Sequence, residues 1–228
     1  MDPLFSLIGH RGAPVYAPEN TLKSFQKAYE CGAKAIEFDV RLTKDGVPII
    51  SHDENLSRVA GVDYYVAEVD FDELRKISIN GEKIPTLEEV LEFARGRMAV
   101  DIEIKVVDAE KKVVDLLRKY DFIENSIVTS FIPSVLAAVK KLEPKLKVGV
   151  LLSEWDDEYL DIANEVKAYA IVPYYKIISK ELYEKIKGSG FKLIVWTVND
   201  ADDVLKMLSI GVDGIITDDP CKVIKLIK

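Results

Sequence analysis

Glu37 and Asp39 stand two residues apart in the apolar run 35–40, Ala-Ile-Glu-Phe-Asp-Val. Alternation along an extended strand sends both side chains to the same side. Two like charges in a buried segment are costly unless a cation joins them. Carboxylates completed by water suit Mg²⁺ or Ca²⁺, with Mn²⁺ as a further option. Glu103 is the natural third ligand, and Asp101, Glu103 and Lys105 also share one face of a second run. The ammonium of Lys105 has no lone pair for a metal and suits an anion. Taken singly, each carboxylate is more simply read as the partner of a cation such as Arg41 or Lys105. Taken together, with two histidines close to them in the strand scheme, they favour a metal centre.

The chain has only two histidines, His10 and His52, each following an apolar run and each beside a charged residue, Arg11 and Asp53. Alone, a histidine at a strand end is usually a hydrogen-bonded structural residue. A pair facing one metal can instead divide the work of ester cleavage. One imidazole takes a proton from the attacking hydroxyl and the other protonates the leaving oxygen. The metal, Arg11 and Lys105 would neutralise a phosphate in its transition state.

These groups need a scaffold that gathers strand ends. Nine β-branched runs recur at 4–8, 35–40, 47–51, 100–105, 127–131, 148–152, 170–173, 193–198 and 214–217. Lys44-Asp45-Gly46 is a tight-turn signal, so the third run is expected to fold back on the second as an antiparallel arm. Eight runs remain, nearly all separated by amphipathic stretches, as parallel neighbours require. Asn20 or Thr21 can cap a first helix with Leu22, Phe25 and Tyr29 along one side and Gly32 at its end. Thr86 and Glu89 form a capping-box signature before Leu87, Val90, Leu91 and Ala94. Asp200 is the expected cap of a helix carrying Val204, Leu205 and Leu208. An open doubly wound sheet would show the same alternation, but strand count and length favour a (β/α)8 barrel, an α/β TIM barrel with its chemistry at the C-terminal strand ends. Residues 53–84 fit neither element cleanly, apart from a short helix capped by Asp70, and form a candidate cap within one domain spanning 1–228.

Composition narrows the partners. The 228 residues carry a net charge of −8 and are 48% hydrophobic. The acidic balance and the lack of a basic stripe argue against nucleic acid. No apolar stretch approaches bilayer length, so no stable membrane insertion is expected. The first residues do not read as a secretion signal, and a cytoplasmic protein is expected. Cys31 and Cys221, far apart in sequence, are expected to be unpaired core or helix-end residues.

Ten strings occur in order: His10-Arg11-Gly12, Pro18-Glu19-Asn20-Thr21, Glu37-Phe38-Asp39-Val40, Asp45-Gly46, His52-Asp53, Ile84-Pro85-Thr86-Leu87, Glu103-Ile104-Lys105, Ser130-Phe131, Trp196-Thr197-Val198-Asn199 and Asp213-Gly214-Ile215-Ile216-Thr217-Asp218. From end to end the chain resembles the glycerophosphodiester phosphodiesterase family. The resemblance implies hydrolysis of a small glycerophosphodiester to glycerol phosphate and an alcohol. It implies His10 and His52 as acid and base, with Glu37, Asp39 and Glu103 as metal ligands. Arg11 and Lys105 would grip the phosphate, and Trp196 would line the glycerol or leaving-group side, where the residue alone reads equally as core. Three rivals are weighed. A lysophospholipase D or other phospholipase-type enzyme would want an apolar rim, which Val62, Tyr64, Tyr65 and Val66 could supply or could bury against the barrel. A non-catalytic phosphate-binding barrel would be expected to lack part of the five-residue set. A sugar-phosphate isomerase fits poorly with the acidic end Thr217-Asp218-Asp219-Pro220.

Overall fold

A computed structural model describes residues 3–227. Its strands, in chain order, are β1 (Leu7–Gly9), β2 (Ala35–Leu42), β3 (Pro48–Ile50), β4 (Ser78–Ile79), β5 (Glu82–Lys83), β6 (Ala99–Ile104), β7 (Ser126–Ser130), β8 (Lys147–Leu152), β9 (Ala170–Pro173), β10 (Lys192–Val195) and β11 (Gly214–Thr217). Eight of them pair in parallel in the order β1-β11-β10-β9-β8-β7-β6-β2, and β1 pairs back onto β2, so the sheet closes into a TIM barrel. The expected arm is present: β3 lies antiparallel to β2, with Val40 opposite Ile50 and Leu42 opposite Pro48.

The pleat divides each strand between two environments. On β2, Ile36, Phe38 and Val40 pack outward against the helices, while Ala35, with Glu37 and Asp39 on the same parity, faces the barrel interior. Strand β6 repeats the pattern, with Val100, Ile102 and Ile104 outward. Phe5, Ile8, Ala99, Ile127, Val172 and Ile194 help fill the lower interior. The polar positions sit above this plug, at the C-terminal strand ends.

The surrounding helices are α1 (Leu22–Glu30), then, beyond the cap's short α2 (Ser57–Ala60) and α3 (Phe71–Leu74), α4 (Leu87–Ala94), α5 (Glu110–Lys119), α6 (Pro133–Leu142), α7 (Glu158–Glu165), α8 (Lys180–Gly188), α9 (Ala201–Ile210) and α10 (Pro220–Ile227). Helix α4 opens with the full capping box between Thr86 and Glu89. Thr21 is the cap of α1, accepting from the Ser24 amide, and Gly32 follows with φ of +89°. The buried face of α1 is Ser24, Phe25 and Ala28, so Leu22 and Tyr29, expected beside Phe25, are instead partly exposed at 37% and 42%. Asp70 and Asp200 occupy N-cap positions without a side-chain cap bond.

Residues 53–84 carry α2, α3, the β4–β5 hairpin and a 3-10 turn at Val66–Glu68. They close over a small core of their own built from Ile49, Leu56, Val66, Leu74, Ile79 and Ile84. Val66 is therefore buried and cannot belong to an apolar rim, whereas Tyr64 and Tyr65 are exposed. The cysteines correct the expectation of unpaired thiols: Cys31 and Cys221 form a disulfide, with Cα atoms 4.6 Å apart across a sequence separation of 190. Barrel closure brings α1 beside α10, a proximity invisible in the linear spacing. Among the described residues, no helix is long and apolar enough to cross a membrane.

Candidate active site

Register assembles the acidic centre. In the β2–β6 pairing Glu37 stands beside Asp101 and Asp39 beside Glu103, so four carboxyl groups occupy adjacent inward positions on neighbouring strands. Neighbouring strands lie about 4.8 Å apart, which forces these groups together whatever their charge. One oxygen each from Glu37, Asp39 and Glu103 comes within 4.8 Å of the others. Asp101 is fully buried, accepts from Thr129 Oγ1 at 2.8 Å, and leaves its second oxygen without a protein partner.

The charges in this cluster respond as crowding demands. Burial drives the Glu37 carboxyl well above the usual range, and Asp39, Glu103 and Asp101 push it further against the pull of Arg11. Burial and Asp39 likewise raise Glu103, opposed by Lys105. Burial pushes Asp101 up to about 7, against the bond from Thr129 and with help from Glu103 and Asp39. Asp39 behaves differently. Although burial acts against its charge, Lys105, Arg11, His52 and the Asn20 amide hold it below the usual carboxylate range. The Lys105 ammonium lies 2.7 Å from Glu103 and 3.4 Å from Asp39. Clustered hard oxygen donors, two of them raised by burial and like charge, are a donor set that suits a divalent cation. The cluster thus fits such an ion, held by Glu37, Asp39 and Glu103.

The turn after β1 places the next groups. Gly12 has φ of +91°, and a Cβ there would meet Ser24 Oγ at 2.4 Å, so only glycine lets the chain pass under α1. Arg11 and Asn20 also take left-handed φ, 51° and 57°. Polar contacts hold both conformations: the Arg11 amide donates to Glu37 at 2.8 Å, the Asn20 side chain donates to Asp39 at 2.8 Å, and the Asn20 amide donates to the Arg11 carbonyl. The Arg11 guanidinium lies 2.9 Å from Glu19 and 3.5 Å from Asp39.

Both histidines face one cavity of about 210 Å³, which Arg11, Glu37, Asp101, Glu103, Lys105 and Thr129 line on its polar side and Phe131, Leu151, Trp196 and Ile216 on its apolar side. The imidazoles are anchored alike. His10 Nδ1 lies 2.6 Å from Asp218 Oδ1, and Asp218 is itself fixed by a 2.6 Å bond from the Asn199 amide. His52 Nδ1 lies 2.7 Å from Asp53 Oδ1. Each ring therefore keeps Nε2 free of its carboxylate, and His10 Nε2 is 4.0 Å from Glu37. Burial lowers the proton affinity of His52, as do Arg11 and Lys105, while Asp39 and Asp53 oppose them.

All eight residues singled out in the sequence meet here, seven lining the cavity and Asp39 buried just behind it. Trp196 is held by a 2.9 Å bond from Nε1 to the Val172 carbonyl and by an edge contact with Phe131 at 5.8 Å. Arg41, a suggested carboxylate partner, instead donates to the His52 carbonyl. Sequence reasoning assigned no role in the site to Asp218, Asn199 or Asp53, and read Asn20 only as a candidate helix cap. Asp53 carried a local signal in its adjacency to His52, whereas Asp218, 208 residues from His10, leaves no local spacing to read.

Comparison with known proteins agrees with this architecture. The chain is 39% identical to a glycerophosphodiester phosphodiesterase of Caldanaerobacter subterraneus subsp. tengcongensis over 236 aligned positions, covering 97% of each chain. The crystal structure of a glycerophosphodiester phosphodiesterase from Thermotoga maritima superposes with a TM-score of 0.84 at 32% identity, covering 97% of this chain and 98% of that one. A phosphodiesterase of Oleispira antarctica, solved with the product sn-glycerol-3-phosphate, superposes with a TM-score of 0.92 at 28% identity, covering 98% and 97%. The model of the glycerophosphoryl diester phosphodiesterase family matches residues 10–222, and the chain belongs to that family of phosphodiester-hydrolysing enzymes.

Proposed function

We propose that the chain hydrolyses small glycerophosphodiesters to glycerol phosphate and an alcohol, with His10 and His52 as the acid and base pair. The observation that carries this reading is the shared cavity, in which two carboxylate-anchored imidazoles look onto three clustered carboxylates. Product binding by the Oleispira protein, on the same barrel, supports the substrate class.

Arg11 and Lys105 bind and orient the phosphate from the polar wall. With Nδ1 tied to Asp218 or Asp53, each imidazole works through Nε2. One accepts the proton of the attacking hydroxyl as the new P–O bond forms. The other delivers a proton to the alcohol oxygen as its bond to phosphorus breaks. Glu37, Asp39 and Glu103 would hold a divalent cation, Mg²⁺, Ca²⁺ or Mn²⁺, which would supply neutralisation of the phosphate charge. Attack by water and attack by the adjacent glycerol hydroxyl both use this pair, and trapping a cyclic glycerol phosphate separates the two.

The apolar wall of Phe131, Leu151, Trp196 and Ile216 favours a second reading for the substrate, a lysolipid whose glycerol carries an acyl chain, with the same alcohol leaving. Assay of glycerol phosphate release from glycerophosphocholine, beside lysophosphatidate release from lysophosphatidylcholine, tests both. His52→Ala should lose about 10²–10⁴-fold in turnover while remaining folded. Unchanged turnover in that variant would remove His52 from the pair.

A further inference from the structure

We propose that Arg58, outside the pocket on the cap helix α2, is a positioning residue that fixes the two substrate-facing loops to one another, aligning His52 and Arg11 together. The inference rests on the acid and base reading above.

The geometry is a continuous chain of charge-assisted bonds. Arg58 Nε donates to Asp53 Oδ2 at 2.5 Å, and the other oxygen of Asp53 holds His52 Nδ1. The two Nη atoms of Arg58 grip Glu19 at 2.9 and 2.7 Å, and the Oε1 of Glu19 also accepts from Arg11 at 2.9 Å. His52, Asp53, Arg58, Glu19 and Arg11 thus form one path from the loop after β3 to the loop after β1. All three nitrogen positions of one guanidinium are used, a fork that a lysine cannot reproduce. The pairings leave their mark on the groups involved: Asp53 is held down to about 2 and Glu19 lies below the usual range, despite burial in both cases.

Arg58 has no part in the cap's core. Helix α2 buries none of its four residues, and the apolar contacts of the cap belong to Leu56, Val66, Leu74 and their neighbours. Removing the guanidinium therefore leaves the cap its packing and takes away the restraint on Asp53 and Glu19. Asp53 is then free to turn from His52, and Arg11 loses the support of a fixed Glu19. Misplacement of a reacting group by about 1 Å can cost 10²-fold in rate, which sets the scale of the effect.

The test is steady-state hydrolysis of glycerophosphocholine by wild type, Arg58→Ala, Arg58→Lys, Glu19→Gln and the Arg58→Ala/Glu19→Gln double variant, with His52→Ala in parallel and a thermal melt of each. For Arg58→Ala the expected result is a fall in kcat of about 10- to 100-fold with the melt nearly unchanged. Arg58→Lys should recover only a part, and added ethylguanidinium should restore turnover to Arg58→Ala, since the site is half exposed. The double variant should be no worse than the poorer single one. Turnover of Arg58→Ala within twofold of wild type, independent addition of the two losses, or full activity in Arg58→Lys would each overturn the proposal. Should Arg58→Ala melt early, the lysine variant and the Glu19→Gln cycle still decide. An active His52→Ala would sink the acid and base reading itself, whereas an inactive His52→Ala beside an unaffected Arg58→Ala would sink this inference alone.

Discussion

Replacing Asp101 by Asn should stabilise the cation-free protein, and more so at high pH. Asp101 is completely buried, and its carboxyl is pushed from an ordinary 3.8 up to about 7 by burial and by Glu103 and Asp39, against the Thr129 bond. A carboxyl raised on folding favours the native state below its unfolded value and withdraws that support as pH climbs through its folded value. At pH 5 roughly one unit of the interval has been crossed, a cost of about 1.6 kcal/mol; by pH 8 the whole interval has been, about 4 kcal/mol. The amide cannot ionise and can still accept from Thr129 through its oxygen. Urea unfolding in excess chelator at both pH values reads the difference. The stability gap between Asp101→Asn and wild type should widen by about 2–3 kcal/mol from pH 5 to pH 8. An equal gap at the two values would refute the claim that the barrel mouth raises this carboxyl. Saturating divalent cation should narrow the gap, since added positive charge relieves the same repulsion.

Asp218→Asn should lower kcat on glycerophosphocholine by about 10²-fold or more, because His10 Nδ1 loses the charged partner that fixes its tautomer and its ring. Normal turnover would confine Asp218 to a structural role. Reducing the Cys31–Cys221 disulfide should lower the melting temperature, and Cys221→Ser should reproduce the effect. With a sequence separation of 190 between the cysteines, the chain-entropy model gives about 5 kcal/mol as an upper figure. Coincident melts with and without reductant would show that barrel packing alone holds α10 in place.

Much of this centre can be read from the chain because strand parity is a local rule. Glu37 and Asp39, and Asp101 and Glu103, share faces for the same reason that Phe38 and Ile102 point away, and the Thr86–Glu89 capping box is a four-residue signal. What the sequence hides depends on closure. Cys31 meets Cys221, and His10 meets Asp218, only because the last strand returns to the first. The exposed placement of Leu22 and Tyr29 follows from a narrower buried stripe on α1 than helical spacing implied, and Val66 is buried because the cap has a core of its own. Lys105 reads as an anion grip from its type, and in the structure it pairs with Glu103 and Asp39. On the proposed reading, the same lysine would exchange that partnership for a phosphate once a cation neutralised the carboxylates.

The most direct test is a calorimetric titration of Mg²⁺, Ca²⁺ and Mn²⁺ into wild type and Glu37→Gln, each run at two pH values. If the three carboxylates hold one cation, wild type should bind a single equivalent, and more tightly as pH rises, because burial and neighbouring carboxylates raise Glu37 and Glu103 and protons compete with the ion. Glu37→Gln should bind far more weakly. Identical isotherms for the two proteins would contradict a cation centre built from these side chains.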